Sequence, residues 1–335
     1  MAVKKTIVVV GGTGRIGKSV VASLVRNNEY HVKVTTRDPT TARAKHVQNL
    51  GAELVKADSW SPDQLEEAFS GAWGVFLNTN SEAPEFTGDS PKSETEMGKN
   101  IIDAARAKDV KHFVFASLPE ANKATNGVVQ ISTFFHKNNI SEYGQQAGFK
   151  SFVNVNVGWM MENFWNPIYE KPFGGFARLK DSDGYLTIFL FPMGNTPEST
   201  PFTSVRDDYG DIVHGVFNDP ESWDKQTVWA VSHPVSFQGV ADAYNRIVGQ
   251  SAARYVPRTE PTKADTPEKT AEVNAIRRYV EYVKGDYCDG KPVDQTAAKT
   301  LKRSGAAARG APEEEQKLQT IDGFIQKHAF NGEDM

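Results

Sequence analysis

Residues 7–17 read Ile-Val-Val-Val-Gly-Gly-Thr-Gly-Arg-Ile-Gly, and this stretch decides the fold. Four consecutive β-branched residues with no polar alternation are what a strand buried on both faces of a parallel sheet requires. The glycines come immediately after, and beyond them Ile16, Val20, Val21, Leu24 and Val25 recur at helical spacing. Strand, glycine turn and amphipathic helix together read as a pyrophosphate cradle, a setting that a lone glycine motif would lack. Gly11 permits the tight turn, Gly14 lets backbone N–H groups approach the anion, and Gly17 lets helix and strand pack closely. Thr13, Arg15 and Ile16 complete the turn, and the helix N-terminus supplies the positive end of its dipole.

Outward from this unit the same rhythm continues. Residues 31–35 read as a second strand and 40–50 as a helix closed by Gly51. Residues 53–56 form a third strand, and Ser61-Pro62-Asp63 marks the start of the next helix. Residues 74–77 and 112–116 are further strands, separated by a helix carrying Met97, Ile101, Ile102 and Ala105; 152–155 is a sixth. Strands alternating with helices predict an α/β, doubly wound parallel sheet, the Rossmann fold, over residues 1–156. Past 156 the rhythm loosens into a smaller C-terminal α/β substrate lobe, 157–335, with elements such as 203–235 returning to the sheet. There 159–176 is aromatic and glycine-rich, 185–191 and 227–231 are strand-like, and 207–217, 237–248, 275–283 and 321–328 read as helices. Residues 262–269 and 304–315 read as exposed connections.

Composition narrows the function classes. Hydrophobic residues make up 39% and charged residues 24% of 335, ordinary for a globular chain and contrary to wholesale disorder. A net charge of −4 offers no basic excess for nucleic acid or acidic membrane. The single cysteine, Cys288, allows neither an internal disulfide nor a zinc framework, so no metal is expected. The apolar run at 7–10 is too short for a signal peptide, and no stretch approaches the roughly 18 apolar residues of a membrane helix. The expectation is a soluble cytoplasmic protein, monomeric or homodimeric.

The second strand bears on the cofactor. An acidic residue about 20 positions after the glycines holds the ribose of NAD, whereas an arginine accommodates the 2′-phosphate of NADP. Here the strand ends Thr35-Thr36-Arg37, with Asp38 one step on. Arg37 and Arg15 favour NADP(H); Asp38 keeps NAD open. Asp58, at the end of the third strand, is placed either for the adenine edge or to cap the next helix. Asn78 and Thr79 end the fourth strand and Ser117 the fifth. Ligands of open α/β sheets sit outside these carboxyl ends, so all three are candidates for the nicotinamide half or ordinary loop residues.

With these residues in view, the chain resembles the NmrA-like branch of the atypical short-chain dehydrogenase/reductase superfamily. Gly-Gly-Thr-Gly-Arg-Ile-Gly at 11–17 is similar to that family's fingerprint. So are Gly-Trp-Met-Met-Glu-Asn-Phe at 158–164 and Pro201-Phe202-Thr203 followed by Asp207-Asp208-Tyr209-Gly210. The resemblance implies a substrate cleft between the Rossmann domain and the lobe. It also implies a lysine that holds the nicotinamide ribose, four residues after a tyrosine or histidine proton donor. Counting back from Tyr143 aligns Lys137 with the lysine, and position 133 is then threonine. Thr133 is a poor proton donor beside a phenol or imidazolium. His136, next to Lys137, points about 100° away on a helix and is the other acid/base candidate. Lys137 itself is either the ribose contact or a solvated helix residue. The resemblance places Trp159, Met160, Asn163 and Trp165 near the cleft, suggesting a bulky hydrophobic organic substrate; the aromatic residues among them read equally as core.

Two functions follow from this reading. One is an NADP(H)-dependent reductase of a quinone, enone, imine or polyketide-like compound. The other is a dinucleotide sensor without turnover that acts on a regulatory protein partner, toward which Thr133 leans.

Overall fold

The computed structural model describes residues 3–86, 92–166 and 181–328. The first half alternates as β1 (Lys5–Val10), α1 (Arg15–Leu24), β2 (Tyr30–Thr36), α2 (Ala42–Asn49), β3 (Glu53–Lys56), α3 (Pro62–Phe69), β4 (Gly74–Leu77), α4 (Glu94–Ala107), β5 (His112–Ser117), the single turn α5 (Ala121–Ala124), α6 (Ser132–Gln146) and β6 (Ser151–Asn156). Then come β7 (Trp159–Met160), β8 (Leu186–Leu190), β9 (Pro201–Thr203), α7 (Gly210–Asn218), β10 (Thr227–Trp229) and β11 (His233–Pro234). The chain closes with α8 (Phe237–Val248), β12 (Ala253–Pro257), α9 (Pro267–Tyr282), α10 (Thr296–Ala308) and α11 (Ile321–His328).

Seven strands form one sheet in the order β10-β6-β5-β4-β1-β2-β3, and every pairing in it is parallel. The apolar run of β1 now has its reason. Ile7 and Val9 pack with Val20, Val21 and Leu24 of α1 and with Ile212 and Phe217 of α7. Val8 and Val10 face Leu65, Ile101 and Ile102 on the opposite side. This is the doubly wound Rossmann architecture. Its strand order reverses between β1 and β4, which opens a crevice at their carboxyl ends.

The lobe has its own core, in which Phe237, Val240, Tyr279, Ile321 and Phe324 bring α8, α9 and α11 together. Its strands form the order β11-β9-β7 and the parallel pair β12-β8. The later chain also returns to the Rossmann sheet: β10 extends it beside β6, and α7 and α10 cover one face.

Several expectations require correction. Residues 304–308 are the last part of α10, a packed helix and not an exposed connection. Its small residues mislead because it offers little apolar side chain, yet smallness is what lets α10 approach α7. A Cβ on Gly305 would lie 1.9 Å from the Asp211 carbonyl oxygen, and one on Gly215 2.2 Å from that of Leu301. Charge then secures the contact: buried Lys302 meets Asp211 at 2.7 Å and Asp208 at 3.2 Å, and Arg309 meets Asp211 at 2.7 Å. The helix expected at 207–217 begins at Gly210, after a wider turn (Val205–Tyr209) capped by Ser204. Gly210 marks the change, since a Cβ there would sit 2.1 Å from the Ser19 carbonyl oxygen of α1. Likewise α9 starts at Pro267 behind the Thr266 cap, well before the expected 275. Of the aromatic stretch 159–176, residues 167–176 lie outside the described residues.

The two halves are also tied through Asp289, whose carboxylate accepts the Glu120 N–H at 2.6 Å. Burial lifts this carboxyl to about 6, and the adjacent Glu120 charge adds to the rise. Native Asp289 therefore takes up its proton near pH 6, the unfolded chain only at about 4. The stability cost of ionising it is present at neutral pH and recovered as pH falls from about 6 to about 4. Urea denaturation should show Asp289→Asn more stabilising, relative to wild type, at pH 7 than at pH 4. A second urea series tests the helix contact: Gly305→Val should lower stability by about 1–3 kcal/mol or more through overpacking.

Candidate functional site

The crevice is built first by backbone. Gly11 has φ +78°, and a Cβ on it would fall 2.2 Å from the Asn78 carbonyl oxygen; one on Gly17 would fall 2.3 Å from that of Gly11. The turn is thus folded against itself and against the end of β4, which only glycine permits. Gly14 differs. Its backbone is extended, it stands at the N-cap of α1, and no side chain caps the helix there. A Cβ on Gly14 would meet only the Gly11 carbonyl oxygen, at 3.4 Å. The outer face of the turn is open where the first N–H groups of α1 emerge, an arrangement that fits a pyrophosphate. Thr13 and Ile16 are half-buried in the turn, Ile16 packed on the sheet core.

The three motifs spread along the chain meet at this turn. Arg15 donates from Nη1 to Asn163 Oδ1 at 3.2 Å. The neighbouring Glu162 is buried and accepts the Arg206 N–H at 2.8 Å. Burial raises its carboxyl above the usual range, against the backbone N–H groups that favour its charge. Gly158 packs on the other side, its N–H donating to Thr203 Oγ1 at 2.9 Å, and a Cβ there would clash with the Pro201 carbonyl oxygen at 2.1 Å. Segment 158–164 is therefore a strut between the glycine turn and the 201–210 segment.

At the end of β2, Arg37 is 71% exposed, with Glu85 at 3.7 Å. Asp38 is occupied locally: its Oδ1 accepts the Thr40 N–H at 2.8 Å and the Thr40 hydroxyl at 2.6 Å. Those bonds hold its carboxyl below the ordinary range. Asp58 is likewise engaged in the turn before α3, accepting the Trp60 N–H at 2.9 Å while its own N–H donates to Gln64. Ser61 takes the extended N-cap backbone, but its side chain makes no cap bond.

On the opposite side of the crevice Lys137 is only 6% exposed, so the solvated-lysine alternative does not describe it. Its Nζ donates to Thr79 Oγ1 at 2.8 Å and to the Ala116 carbonyl at 3.5 Å, and stands 3.3 Å from Glu94 Oε1. Thr79 donates its hydroxyl to the same Glu94 oxygen, and Ser81 does so at 2.9 Å. Ser117 is buried at the end of β5, and Asn78 presents its backbone to Gly11.

One turn before Lys137, Thr133 donates its hydroxyl to Glu272 Oε1 of α9, and its N–H points to the same oxygen at 3.4 Å. His136 lies elsewhere, its Nδ1 at 2.8 Å from Thr95 Oγ1 in the α4–α6 contact. Tyr143 also faces α4, donating to Asp103 at 2.7 Å. Trp159 is 6% exposed and sits among Phe191, Phe237 and Tyr287 in the lobe core. Trp165 leans on Phe324, and Met160 packs toward the Rossmann core. Sequence reading missed Glu94 and Glu272. Glu94 reads as one more acidic residue beside the Ser93–Glu96 capping box, and Glu272 as a surface charge; only tertiary contact distinguishes them.

Removing one member of a buried ion pair strands the other, at a cost of about 3–5 kcal/mol. Chemical denaturation should show Lys137→Met destabilising by that order. Adding Glu94→Gln should recover part of the loss, a coupling absent for Lys99→Met with the same partner.

Residues 3–304 match the model of the NmrA-like family. The NmrA-like family domain-containing oxidoreductase notA of Aspergillus sp. (strain MF297-2) is 34% identical over 97% of this chain and 97% of its own. Among solved structures, NmrA, a negative transcriptional regulator, in complex with NADP superimposes with TM-score 0.69 at 18% identity, covering 99% and 98% of the two chains. The NADPH complex of the NADPH-dependent quinone oxidoreductase QOR2 from Escherichia coli gives 0.64 at 18% identity, covering 97% and 100%.

Proposed function

The chain belongs to the NmrA-like family, and we propose that it is an NADP(H)-dependent oxidoreductase reducing a bulky hydrophobic small molecule, such as a quinone, enone, imine or polyketide-like compound. The observation that carries this reading is buried Lys137, held at the carboxyl ends of β4 and β5 across the crevice from an open glycine turn. A lysine is buried only when paired, and here the pair lies where a dinucleotide-binding sheet presents its ligand. The relatives' names agree with it, notA being called an oxidoreductase and QOR2 an NADPH-dependent quinone oxidoreductase.

The N–H groups at the start of α1 would hold the pyrophosphate, and Lys137 the nicotinamide ribose. Arg37 would take the 2′-phosphate, its exposed guanidinium standing just past the end of β2, while Asp38 is turned toward Thr40 through one carboxylate oxygen. Bound there, the nicotinamide supplies a hydride. The protein's own part is to orient the acceptor, exclude water and provide a proton. The half-buried faces of Met160 and Trp165 are the apolar surfaces offered to the substrate.

Thr133 keeps a second reading in view. It has no titratable ring, and the structural neighbour NmrA is a regulator, so a sensor that binds the dinucleotide without turnover is the alternative. Titrating the protein with NADPH and then presenting quinones, enones and imines separates the two. Loss of nicotinamide absorbance with one acceptor class is expected; tight binding with no turnover on any of them favours the sensor. In the same titration Arg37→Glu should weaken NADPH binding about tenfold or more, the worth of a charge-assisted phosphate contact, and leave NADH nearly unchanged.

A further inference from the structure

Glu272 reaches from the lobe to Thr133 at the start of α6. Thr133 and Lys137 are four residues apart on α6 and so share one face of that helix, the face whose lysine enters the crevice. On this face the Thr133 hydroxyl is bonded to Glu272 Oε1. Both residues are half-buried, so the pair is not sealed in the core. Lys137 is held by Glu94 and Thr79, Lys269, one turn earlier on α9, stands 3.5 Å from Glu82, and His136 faces Thr95. A titratable carboxyl and a hydroxyl in direct hydrogen bond are the parts of a proton relay.

We propose that Glu272 is the proton-relay residue of this site, delivering a proton through the Thr133 hydroxyl to the heteroatom of the acceptor. The inference rests on the reductase reading. As the acceptor's carbon receives a hydride from the reduced nicotinamide, the electron pair of its carbon–heteroatom double bond moves to the heteroatom. For this transfer Glu272 is protonated and donates to the Thr133 oxygen, and the Thr133 hydroxyl, which donates to Glu272 Oε1 in the resting structure, turns to the acceptor. The heteroatom takes the Thr133 proton, Thr133 takes that of Glu272, and solvent reprotonates the carboxylate. A threonine thereby serves where it would be too weak an acid alone. Glu272 is a positioning and relay group: it acts through Thr133 and does not touch the acceptor.

If Glu272 were purely structural, capping the first turn of α6, the substitution Glu272→Gln would preserve its role, because the amide oxygen still accepts from Thr133. The test therefore uses Glu272→Gln and Thr133→Val, with Thr133→Ser as the conservative variant. Thermal melting and NADPH titration of each verify the fold, and carboxyl ¹³C NMR of the cofactor-free protein reads the pH at which Glu272 titrates. With an acceptor found in the screen, wild-type kcat/KM should fall about tenfold per pH unit above that pH. Glu272→Gln and Thr133→Val should each lower kcat/KM by about 100-fold or more at the wild-type optimum and flatten the profile, while Thr133→Ser retains both. A Glu272→Gln enzyme with the wild-type rate and profile overturns the relay and leaves the reductase standing. Wild-type protein that binds NADPH but turns over no acceptor overturns both.

Discussion

Everything at the centre of this molecule depends on how closely three backbone segments approach one another. The carbonyl of Asn78 presses on the bare Cα of Gly11, and the carbonyl of Gly11 on that of Gly17. A methyl group at either place would push α1 off β1 or the glycine turn off β4. Because no side chain intervenes, the first N–H groups of α1 emerge at the reversal of strand order, and the open side of Gly14 is left for an anion. The same device recurs farther out: Gly210 against α1, Gly158 against Pro201, and Gly305 against α7. The lobe is thus fastened to the sheet by close contacts that tolerate little variation in distance.

Buried charge completes what close packing begins. Lys137 with Glu94, and Lys302 with Asp208 and Asp211, lie on different sides of the sheet. Each lysine is buried with its partners, since an unpaired ammonium there would be far costlier to desolvate. Their consequences differ. The Lys302 cluster joins α10 to α7 and the preceding turn, and belongs to the scaffold. The Lys137 pair closes the crevice at the ends of β4 and β5 and faces the place where chemistry is proposed.

The Rossmann half was legible in the sequence because its signals are local. A buried parallel strand must be apolar throughout, a helix must repeat its apolar face, and a turn that approaches a pyrophosphate must lack side chains. Residues 7–17 satisfy all three. The lobe was less legible: α10 presents alanine and glycine in place of a periodic apolar face of large residues, and its burial is carried by small residues and by Lys302. The start of α9 was hidden in a charged stretch, although Thr266 and Pro267 are the ordinary signs of a helix N-terminus.

The site divides in the same way. By itself the sequence determined the strand–turn–helix unit, the place of Arg37 and Asp38 beside it, and the spacing that puts Thr133 and Lys137 on one helix face, because these follow from local geometry. Only the tertiary structure decided that Arg15 joins Asn163, that Trp159 is core and that His136 faces α4. It alone brought Glu94 to Lys137, and Glu272 to Thr133 across 139 residues of chain. A charged residue looks alike in sequence whether solvated or buried, and only the packing of distant segments settles which it is.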